Sequence, residues 1–261
     1  MPEGHKVFRL ALDHNPMVGK RIRVVSPQGR FANEARVLDG RILRHVESFG
    51  KHLIYRWSGK IYLHVHLGLY GKYRWLKLPF EEPQGEVRVR ALSKRFGFDL
   101  NGPHRCELLD RDEFRRLTQR LGPDPLRQDA SPHLFQSAVR KSAKPIGDLL
   151  LDQKVIAGIG NIYRTEILFL LGIHPRRPCH QLSIREIGRI WNLAKRLLKI
   201  GVKYNSIITA SPDKVGKPRR LMDREERILL YKKSICPNCS SSVEEMMMLN
   251  RKIFVCNECQ E

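Results

Sequence analysis

The sequence predicts an α+β protein of several domains, with an N-terminal helix and antiparallel β-sandwich, a helical domain and a C-terminal cysteine-bearing hairpin. Three observations predict this order. Apolar residues alternate with polar ones up to about residue 109, recur at helical spacing from about residue 132, and are followed near the end by two Cys-x-x-C pairs. At 261 residues, the chain is long enough for two domains and a small appended module.

The charge of the chain indicates a polyanionic partner. Lys and Arg number 48 against 27 Asp and Glu, and the formal net charge is +21. Phosphates suit such a surface, and an acidic membrane is the rival partner. Because the sequence has no long apolar run, no basic-then-apolar leader and no lipidation motif, we expect no membrane association. We expect a cytoplasmic protein, associated with the nucleoid if it is bacterial.

The first half of the chain predicts a helix and then a sandwich of strands. Residues 3–12 have near-helical apolar spacing, and a second helix is expected over 112–121. The runs with period two are 53–57, 61–67, 88–92 and 97–100. His64 and His66 share one face of a strand, but without a third ligand in view they are interpreted as surface or cleft histidines.

The second half predicts helices after a boundary at Leu-Gly-Pro-Asp-Pro-Leu, residues 121–126. The expected helices are 132–141, 145–156, 161–171 and 183–200. Gly158-Ile-Gly-Asn161 predicts a tight turn in which Asn161 caps the next helix. The basic stretch 202–234 is expected to be a linker or loop near the partner. The expected division is a domain at 1–121, a linker at 122–134, a helical domain at 135–234 and a hairpin module at 235–261.

Two Cys-x-x-C pairs, separated by sixteen residues, stand at the end of the chain. The four cysteines are Cys236, Cys239, Cys256 and Cys259. This spacing can place four thiolates tetrahedrally around a structural zinc ion. Two strand-like runs, 243–249 and 252–255, predict a hairpin that turns around Asn250 and Arg251. The alternative is a pair of disulfides, which a chain without an export signal disfavours.

Two of these features could contact phosphate. The turn at Gly158–Asn161 would direct free backbone N–H groups outward at a helix N-terminus, although such turns also simply join helices. The hairpin with an arginine at its tip is either a stable knob or a finger that enters a groove of DNA. The positive charge of the chain favours nucleic acid for both.

The start of the chain, Met-Pro-Glu-Gly-His, suits carbonyl chemistry. Removal of Met1 would leave Pro2 with a free secondary amine. An α-amino group has a pKa of about 8 against about 10.4 for lysine, so more of it is unprotonated and nucleophilic at neutral pH. Glu3 beside it can exchange the protons that imine chemistry needs. A chance Met-Pro start is the alternative.

Six motifs occur in one order along nearly the whole chain. They are the Pro-Glu-Gly start, Phe49-Gly-Lys51, His66-Leu-Gly-Leu-Tyr-Gly71, Leu121-Gly-Pro123, Leu151-Asp-Gln153 with Gly158-Ile-Gly-Asn-Ile-Tyr163, and the cysteine hairpin with Arg251. Together they resemble the formamidopyrimidine-DNA glycosylase and endonuclease VIII family of base-excision repair enzymes. The resemblance implies a catalytic sandwich domain, a helix–two-turn–helix element at 145–171, and a cleft for DNA between the two.

By this resemblance the protein is a bifunctional DNA glycosylase and AP lyase, a monomer that binds damaged double-stranded DNA and uses zinc only structurally. Pro2 resembles the nucleophile that attacks C1′ of the damaged nucleotide and forms a Schiff base, with Glu3 as its acid/base partner. Lys51 resembles the basic residue near the phosphate of the reacting nucleotide. Arg251 resembles the hairpin arginine that grips the phosphates and assists elimination.

Further DNA contacts follow from the same resemblance. Asn161, Arg120 and Lys144 are expected to contact phosphates. A nucleotide flipped out of the duplex leaves a space that must be filled, and Leu69 and Tyr70 lie where the family has its wedge. The alternative is that Leu69 and Tyr70 are the end of a sandwich strand.

The chain also departs from the family pattern. His5 and Lys6 stand where the family commonly has proline and glutamate, and Gly68 stands where the wedge often has a polar residue. The Pro-Glu-Gly start and the Leu-Tyr pair resemble the endonuclease VIII branch, which implies oxidised pyrimidines as substrates. His5 and Lys6 leave open a non-catalytic damaged-DNA-binding protein of the same fold. A zinc-ribbon transcription regulator is a more distant alternative.

Overall fold

A computed structural model describes residues 2–261. The α-helices in this range are α1 (Gly4–His14), α2 (Ala32–Leu38), α3 (Arg111–Gln119), α4 (Pro132–Arg140), α5 (Ile146–Leu149), α6 (Asn161–Leu171), α7 (Ile184–Tyr204) and α8 (Pro212–Val215). The strands are β1 (Arg23–Val25), β2 (Leu43–Phe49), β3 (His52–Trp57), β4 (Ile61–His66), β5 (Lys72–Lys77), β6 (Val87–Leu92), β7 (Phe96–Asn101), β8 (Arg105–Leu109), β9 (Glu244–Met248) and β10 (Arg251–Val255). None of the helices in residues 2–261 is long and apolar enough to cross a membrane.

The described chain divides into two compact units. One contains Pro2 and residues 7–120, and the other contains Glu3–Lys6 and residues 121–261. The four residues that follow Pro2 therefore belong to the second unit, although the sequence places them in the first. The expected division at residues 121, 134 and 234 stays a prediction.

The first unit is built from two antiparallel four-stranded sheets, in the orders β1-β6-β7-β5 and β2-β3-β4-β8. Alternating side chains from both sheets share one core, in which Tyr55 of β3 and Phe98 of β7 stack at 5.6 Å between ring centroids. Helix α1 contributes Val7 and Leu10 to this core. The predicted antiparallel sandwich is thus confirmed. Apolar residues alternate in the sequence because successive side chains of a strand point to opposite faces and the inner faces of the two sheets form the core.

Helices α4, α6 and α7 contribute most of the core of the second unit. The sequence I-Y-R-T-E-I-L-F-L-L makes α6 apolar on nearly all sides, and it is the buried central helix. Helix α7 is amphipathic and begins with a capping box between Ser183 and Glu186. It continues to Tyr204, four residues beyond the expected end.

The prediction of one helix over 145–156 is wrong beyond its first turn. Helix α5 ends at Leu149, and residues 150–156 form turns. The Gln153 side chain donates to the carbonyls of Leu151 and Ile159 and accepts from Gly158 N at 2.9 Å. Because this amide satisfies backbone groups locally, it replaces helical hydrogen bonds. The apolar spacing of 150–157 instead buries Leu150, Ile156 and Ala157 in turns.

The stretch after α7 is not a linker. It contains α8 and contributes Ile208, Met222, Leu229 and Leu230 to a third core that includes Cys236 and Cys256. The buried carboxylate of Glu166 on α6 holds it, accepting from the backbone N–H groups of three consecutive residues at 2.8 Å each. These residues are Leu229, Leu230 and Tyr231, and the Thr209 hydroxyl donates to the same carboxylate.

The C-terminal hairpin pairs β9 with β10, and Met248 lies opposite Arg251. The turn is Leu249–Asn250, so the expectation of a turn at Asn250-Arg251 is wrong by one residue and Arg251 begins β10. Two residues with positive φ, 49° and 56°, close the hairpin, as a two-residue turn requires. With this hairpin the predicted α+β fold class is confirmed.

Candidate active site

The Glu3 carboxylate lies at the N-terminus of α6. Its Oε2 accepts a hydrogen bond from Gly160 N and its Oε1 accepts one from Ile162 N, both at 2.8 Å. Tyr163 N lies 3.4 Å from Oε2. The residue is completely buried. Helix N-termini carry unsatisfied N–H donors and a partial positive charge, so this position stabilises Glu3 as a carboxylate.

Two glycines allow this approach. A Cβ on Gly160 would lie 2.4 Å from Cδ of Glu3, and a Cβ on Gly4 would lie 2.7 Å from the Cα of Gly158. Gly4 N donates to Gly158 O at 2.8 Å. The Pro-Glu-Gly start and the Gly-Ile-Gly turn are therefore complementary parts of one contact.

His5 and Lys6 are also held by the second unit. The His5 ring packs edge-on against Tyr163, with 5.4 Å between centroids, in space that exists because residue 201 is glycine. Burial, with the nearby charge of Lys6, lowers the pKa of His5 to about 4, so the ring is neutral at pH 7. Lys6 Nζ donates to Asn205 Oδ1 at 3.0 Å. The two departures from the family pattern thus anchor the start of the chain.

Asn161 does not cap α6, which corrects the expectation. Gly160 occupies the N-cap position, and Glu3 supplies the acceptors from elsewhere in the chain. The side chain of Asn161 donates to Lys252 O at 2.7 Å and accepts from Arg164 at 2.6 Å. The backbone N–H groups of residues 160 and 162 are engaged by Glu3, so the expectation that they are free for phosphate is wrong. The expected phosphate contact of Asn161 itself stays a prediction.

Arg164 joins α6 to the hairpin. It is completely buried, and its guanidinium contacts Asn161 Oδ1 and the carbonyls of Gly147 and Lys252. Burial lowers its pKa to about 10, and it still carries its charge at neutral pH. Sequence reasoning missed this residue and Glu166, although two charged residues inside an apolar helix are a signal of internal partners.

The remaining site residues of the second unit are exposed. Lys144 precedes α5, and its carbonyl accepts from Cys179 N while its side chain is exposed. Arg251 is exposed at the start of β10. Their DNA contacts stay predictions.

The first unit carries Pro2, Lys51 and the expected wedge. Lys51 lies with Gly50, which has a φ of 57°, in the two-residue turn between β2 and β3. Strand β4 ends at His66, so Leu69 and Tyr70 lie in the following loop and are not the end of a strand. Their exposed fractions are 58% and 85%. Arg120 is exposed just after α3.

His52, which follows Lys51 in the sequence, begins a series of side-chain contacts. His52 Nδ1 contacts His64 Nε2 at 2.9 Å, and His64 Nδ1 contacts Glu107 Oε1 at 2.9 Å. Of the two histidines interpreted as surface or cleft residues, His64 is buried and is not a surface residue, whereas His66 is half-buried. Burial lowers the pKa of His52 to about 3, with smaller contributions from the neighbouring positive groups.

The four C-terminal cysteines converge. Their Sγ atoms all lie within 4.8 Å of one another, with 3.8 Å between Cys236 and Cys259 and 3.4 Å between Cys239 and Cys256. A disulfide would need about 2.05 Å. Four thiolates bound to zinc at about 2.3 Å lie about 3.8 Å apart in a tetrahedron. The alternative of two disulfides is excluded, and the sulfur positions fit a zinc ion.

The two cysteines outside this cluster are thiols of low reactivity. Burial raises the pKa of Cys106 to about 12 and that of Cys179 to about 11. Because the thiolate is the reactive form, neither is a nucleophile at neutral pH.

Comparison with known proteins decides the family. The model of the formamidopyrimidine-DNA glycosylase N-terminal domain matches residues 1–117, and that of the formamidopyrimidine-DNA glycosylase H2TH domain matches residues 121–213. The chain belongs to the formamidopyrimidine-DNA glycosylase family. It is thus a DNA glycosylase of DNA repair, which confirms the resemblance and the prediction of an enzyme.

Individual relatives span the full chain. This chain is 42% identical over 268 residues to Endonuclease 8 1 of Mycobacterium tuberculosis, and the match covers both proteins completely. Identity to the formamidopyrimidine-DNA glycosylase of Thermus thermophilus is 30% over 271 residues, covering 100% of this chain and 98% of the relative. A solved structure of Lactococcus lactis Fpg in complex with DNA that contains N7-benzyl-Fapy-dG shares the fold, with a TM-score of 0.81, 24% identity and complete coverage of both chains.

Proposed function

We propose that this glycosylase is bifunctional: it removes oxidised bases, preferentially pyrimidines, through a Schiff base on Pro2 and then nicks the abasic strand by elimination. The position of Glu3 carries the proposal. Glu3 directly follows Pro2 in the chain, and its buried carboxylate is held by two backbone hydrogen bonds at 2.8 Å. This gives the amine a proton acceptor whose position does not depend on a flexible surface side chain.

The proposed reaction moves each proton as follows from the positions of Pro2 and Glu3. Pro2 N bonds to C1′ as the bond from C1′ to the base breaks, and the nitrogen must then lose its proton. Glu3, held as a carboxylate, accepts a proton before it gives one to the sugar ring oxygen as the ring opens. The departing base keeps the electron pair of the C1′–N bond and takes a proton from water. A water molecule then accepts a C2′ proton from the iminium, the C3′–O bond breaks with its electrons on the departing phosphate, and the strand is nicked. Hydrolysis of the remaining unsaturated iminium releases Pro2.

The DNA-binding part of the proposal uses cations in both units. Lys51 and Arg251 would contact phosphates around the reacting nucleotide, with Asn161, Arg120 and Lys144 further along the backbone. Leu69 and Tyr70 would fill the space that the flipped nucleotide leaves. Their exposed fractions of 58% and 85% in a loop leave both side chains accessible to DNA, which supports this role. The solved complex of Lactococcus lactis Fpg with DNA that contains an abasic site supports damaged DNA as the partner.

Zinc is the proposed occupant of the cysteine cluster, held by Cys236, Cys239, Cys256 and Cys259. Four thiolates leave no open coordination position, so the ion has a structural role and takes no part in the reaction. It would fix the hairpin that carries Arg251. We further propose a monomer with the four-part domain division, acting in the cytoplasm or on the nucleoid.

The preference for pyrimidines rests on similarity to Endonuclease 8 1 at 42% identity, against 30% for formamidopyrimidine-DNA glycosylases. Single-turnover excision of 5-hydroxyuracil and of 8-oxoguanine from matched duplexes tests it. Faster release of 5-hydroxyuracil is expected, and faster release of 8-oxoguanine would reverse the assignment.

Borohydride trapping tests the bifunctional mechanism. The protein is incubated with labelled duplex containing one abasic site, and borohydride reduces any imine to a stable adduct. Pro2→Ala, with removal of Met1 confirmed by mass spectrometry, replaces the secondary amine with a primary one of different basicity and shape. Retained Met1 blocks position 2 altogether. We expect an adduct for the natural chain and none when Met1 is retained; binding without an adduct from the natural, processed chain would favour the non-catalytic damage-binding protein.

A further inference from the structure

The turn of the C-terminal hairpin has an unfavourable residue at its first position. Leu249 and Asn250 have φ values of 49° and 56°. A two-residue turn with both residues in the left-handed region favours Asn-Gly, and a bulky apolar residue there is uncommon. Asn250 suits its position, whereas Leu249 adopts a conformation that an asparagine or glycine would adopt more readily. Stability of the hairpin does not explain the choice of leucine.

Leu249 also contributes little to the core. Its exposed fraction is 60%, whereas Met246 and Met248 in the preceding strand are each 7% exposed. Met247, on the opposite face of that strand, is 58% exposed. Two large apolar side chains therefore point into solvent at or next to the tip. A strained backbone that holds an apolar side chain away from the core indicates a binding role.

The hairpin tip is fixed relative to Glu3. The carbonyl of Lys252 accepts from Asn161 at 2.7 Å, and Arg164 lies 3.5 Å from the same oxygen. Both donors are in the first turns of α6, the helix whose N-terminus holds the Glu3 carboxylate. Leu249 lies three residues before Lys252, which limits the separation of the two residues to at most about 10 Å. A contact made by the tip would thus be positioned with the proposed catalytic group.

The charge next to the tip indicates what the apolar side chain would meet. Arg251 and Lys252 follow directly, and the chain as a whole carries +21. Lys252 is paired with Glu245 at 2.7 Å. Arg251, which follows the turn directly, is the residue for which the proposed function already includes a phosphate contact. The minor groove of duplex DNA presents phosphates at its edges and sugars and base edges inside, and several DNA-bending proteins insert apolar side chains into it.

We propose that Leu249 is a DNA contact of this enzyme, inserted into the minor groove of the damaged duplex while Arg251 binds a flanking phosphate. The inference rests on the proposed function for its partner and adds a contact that does not involve charge. The leucine is retained at a strained position because its apolar surface is buried only in the complex.

Leu249→Asn is the decisive variant. Asparagine has nearly the same shape as leucine, favours the left-handed conformation and removes the apolar surface. Asn250→Gly is the matched control, because it relaxes the neighbouring left-handed position without changing apolar surface. Affinity is measured by fluorescence anisotropy on a duplex with a tetrahydrofuran abasic-site analogue, at several salt concentrations, with zinc content and thermal midpoint determined for each protein.

We expect Leu249→Asn to raise Kd about five- to thirtyfold, the equivalent of about 1–2 kcal/mol for burying the exposed part of a leucine. The slope of log affinity against log salt stays unchanged, because no charge is lost, whereas Arg251→Gln lowers it by about one. Asn250→Gly binds within about twofold of the natural protein. Both turn variants keep their zinc content and melt at the same temperature or higher.

Three results would overturn the inference. Leu249→Asn could bind like the natural protein, in which case the exposed tip serves a protein partner or none. The two turn variants could weaken binding equally, which would assign the effect to turn geometry. If Leu249→Asn loses zinc, Leu249→Ala and Leu249→Met are compared, and equal affinities of these two would also refute it. Failure of the proposed chemistry would be seen separately, as the absence of borohydride trapping in the natural protein. The comparison of Kd values would still test the role of Leu249, because binding to the abasic-site analogue does not require the reaction.

Discussion

Replacing Glu3 by glutamine tests how the start of the chain is held. The carboxylate accepts from Gly160 N and Ile162 N at 2.8 Å in a completely buried position. Hydrogen bonds to a charged group contribute about 1.5–3 kcal/mol each. Glutamine retains one acceptor oxygen, but its NH₂ group faces a buried N–H that then lacks an acceptor. We therefore expect Glu3→Gln to lower the free energy of unfolding by about 2–4 kcal/mol.

Urea denaturation followed by tryptophan fluorescence measures this loss. Glu225→Gln is the matched control, because it makes the same change of charge at an exposed position of the same unit, where an effect within about 0.5 kcal/mol is expected. Glu3→Gln also removes the proposed acid/base group, so excision activity alone does not test the packing. Equal unfolding midpoints and slopes for the two variants would refute the account of Glu3 as an acceptor for the α6 N-terminus.

Four further predictions concern other parts of the molecule. Glu166→Gln accelerates hydrogen exchange of the backbone amides at 229–231 by about tenfold or more, measured by mass spectrometry, since each now donates to the carboxylate; unchanged exchange would contradict this. Burial lowers the pKa of His14 to about 3, below about 6.5 in the unfolded chain. Between these two pKa values the unfolded chain binds a proton at His14 that the folded protein does not, so the stability is full above pH 6.5 and falls as the pH drops toward 3. We expect His14→Phe to reduce the slope of unfolding free energy against pH in this range by up to about 1.4 kcal/mol per pH unit. An unchanged slope would contradict this. Cys256→Ser lowers bound zinc from about one per chain to near zero in metal analysis, and full retention would exclude the four-cysteine site. Lys51→Gln lowers the salt slope of DNA binding by about one, and an unchanged slope would remove it from the phosphate contacts.

Local patterns in the sequence predicted most of the architecture. The period of two at 53–57 and 61–67 became β3 and β4 because a sandwich buries one face of each strand. The spacing of the four cysteines predicted that they converge, and their Sγ atoms lie within 4.8 Å of one another. The 145–156 helix failed for a local reason: Gln153 satisfies three backbone groups of its own turn, which apolar periodicity does not register.

The contacts that sequence reasoning missed join residues far apart in the chain. Glu3 accepts from residues about 160 positions away, and Glu166 accepts from residues more than 60 positions away. No local pattern specifies such partners. The residue type of Asn161 predicts a cap, but Gly160 is the N-cap residue and the distant Glu3 carboxylate supplies the acceptors. The charged residues Arg164 and Glu166 inside apolar α6 were the available signal, since burial of charges requires internal partners.

The site of the covalent adduct tests the central claim most directly. After borohydride reduction on an abasic-site duplex, the adduct is digested and the modified peptide is sequenced by tandem mass spectrometry. We expect one modified residue, Pro2, in a peptide that lacks Met1. Modification of Lys6 or Lys51 instead, at comparable yield, would show that a lysine is the nucleophile and would contradict the role assigned to the start of the chain.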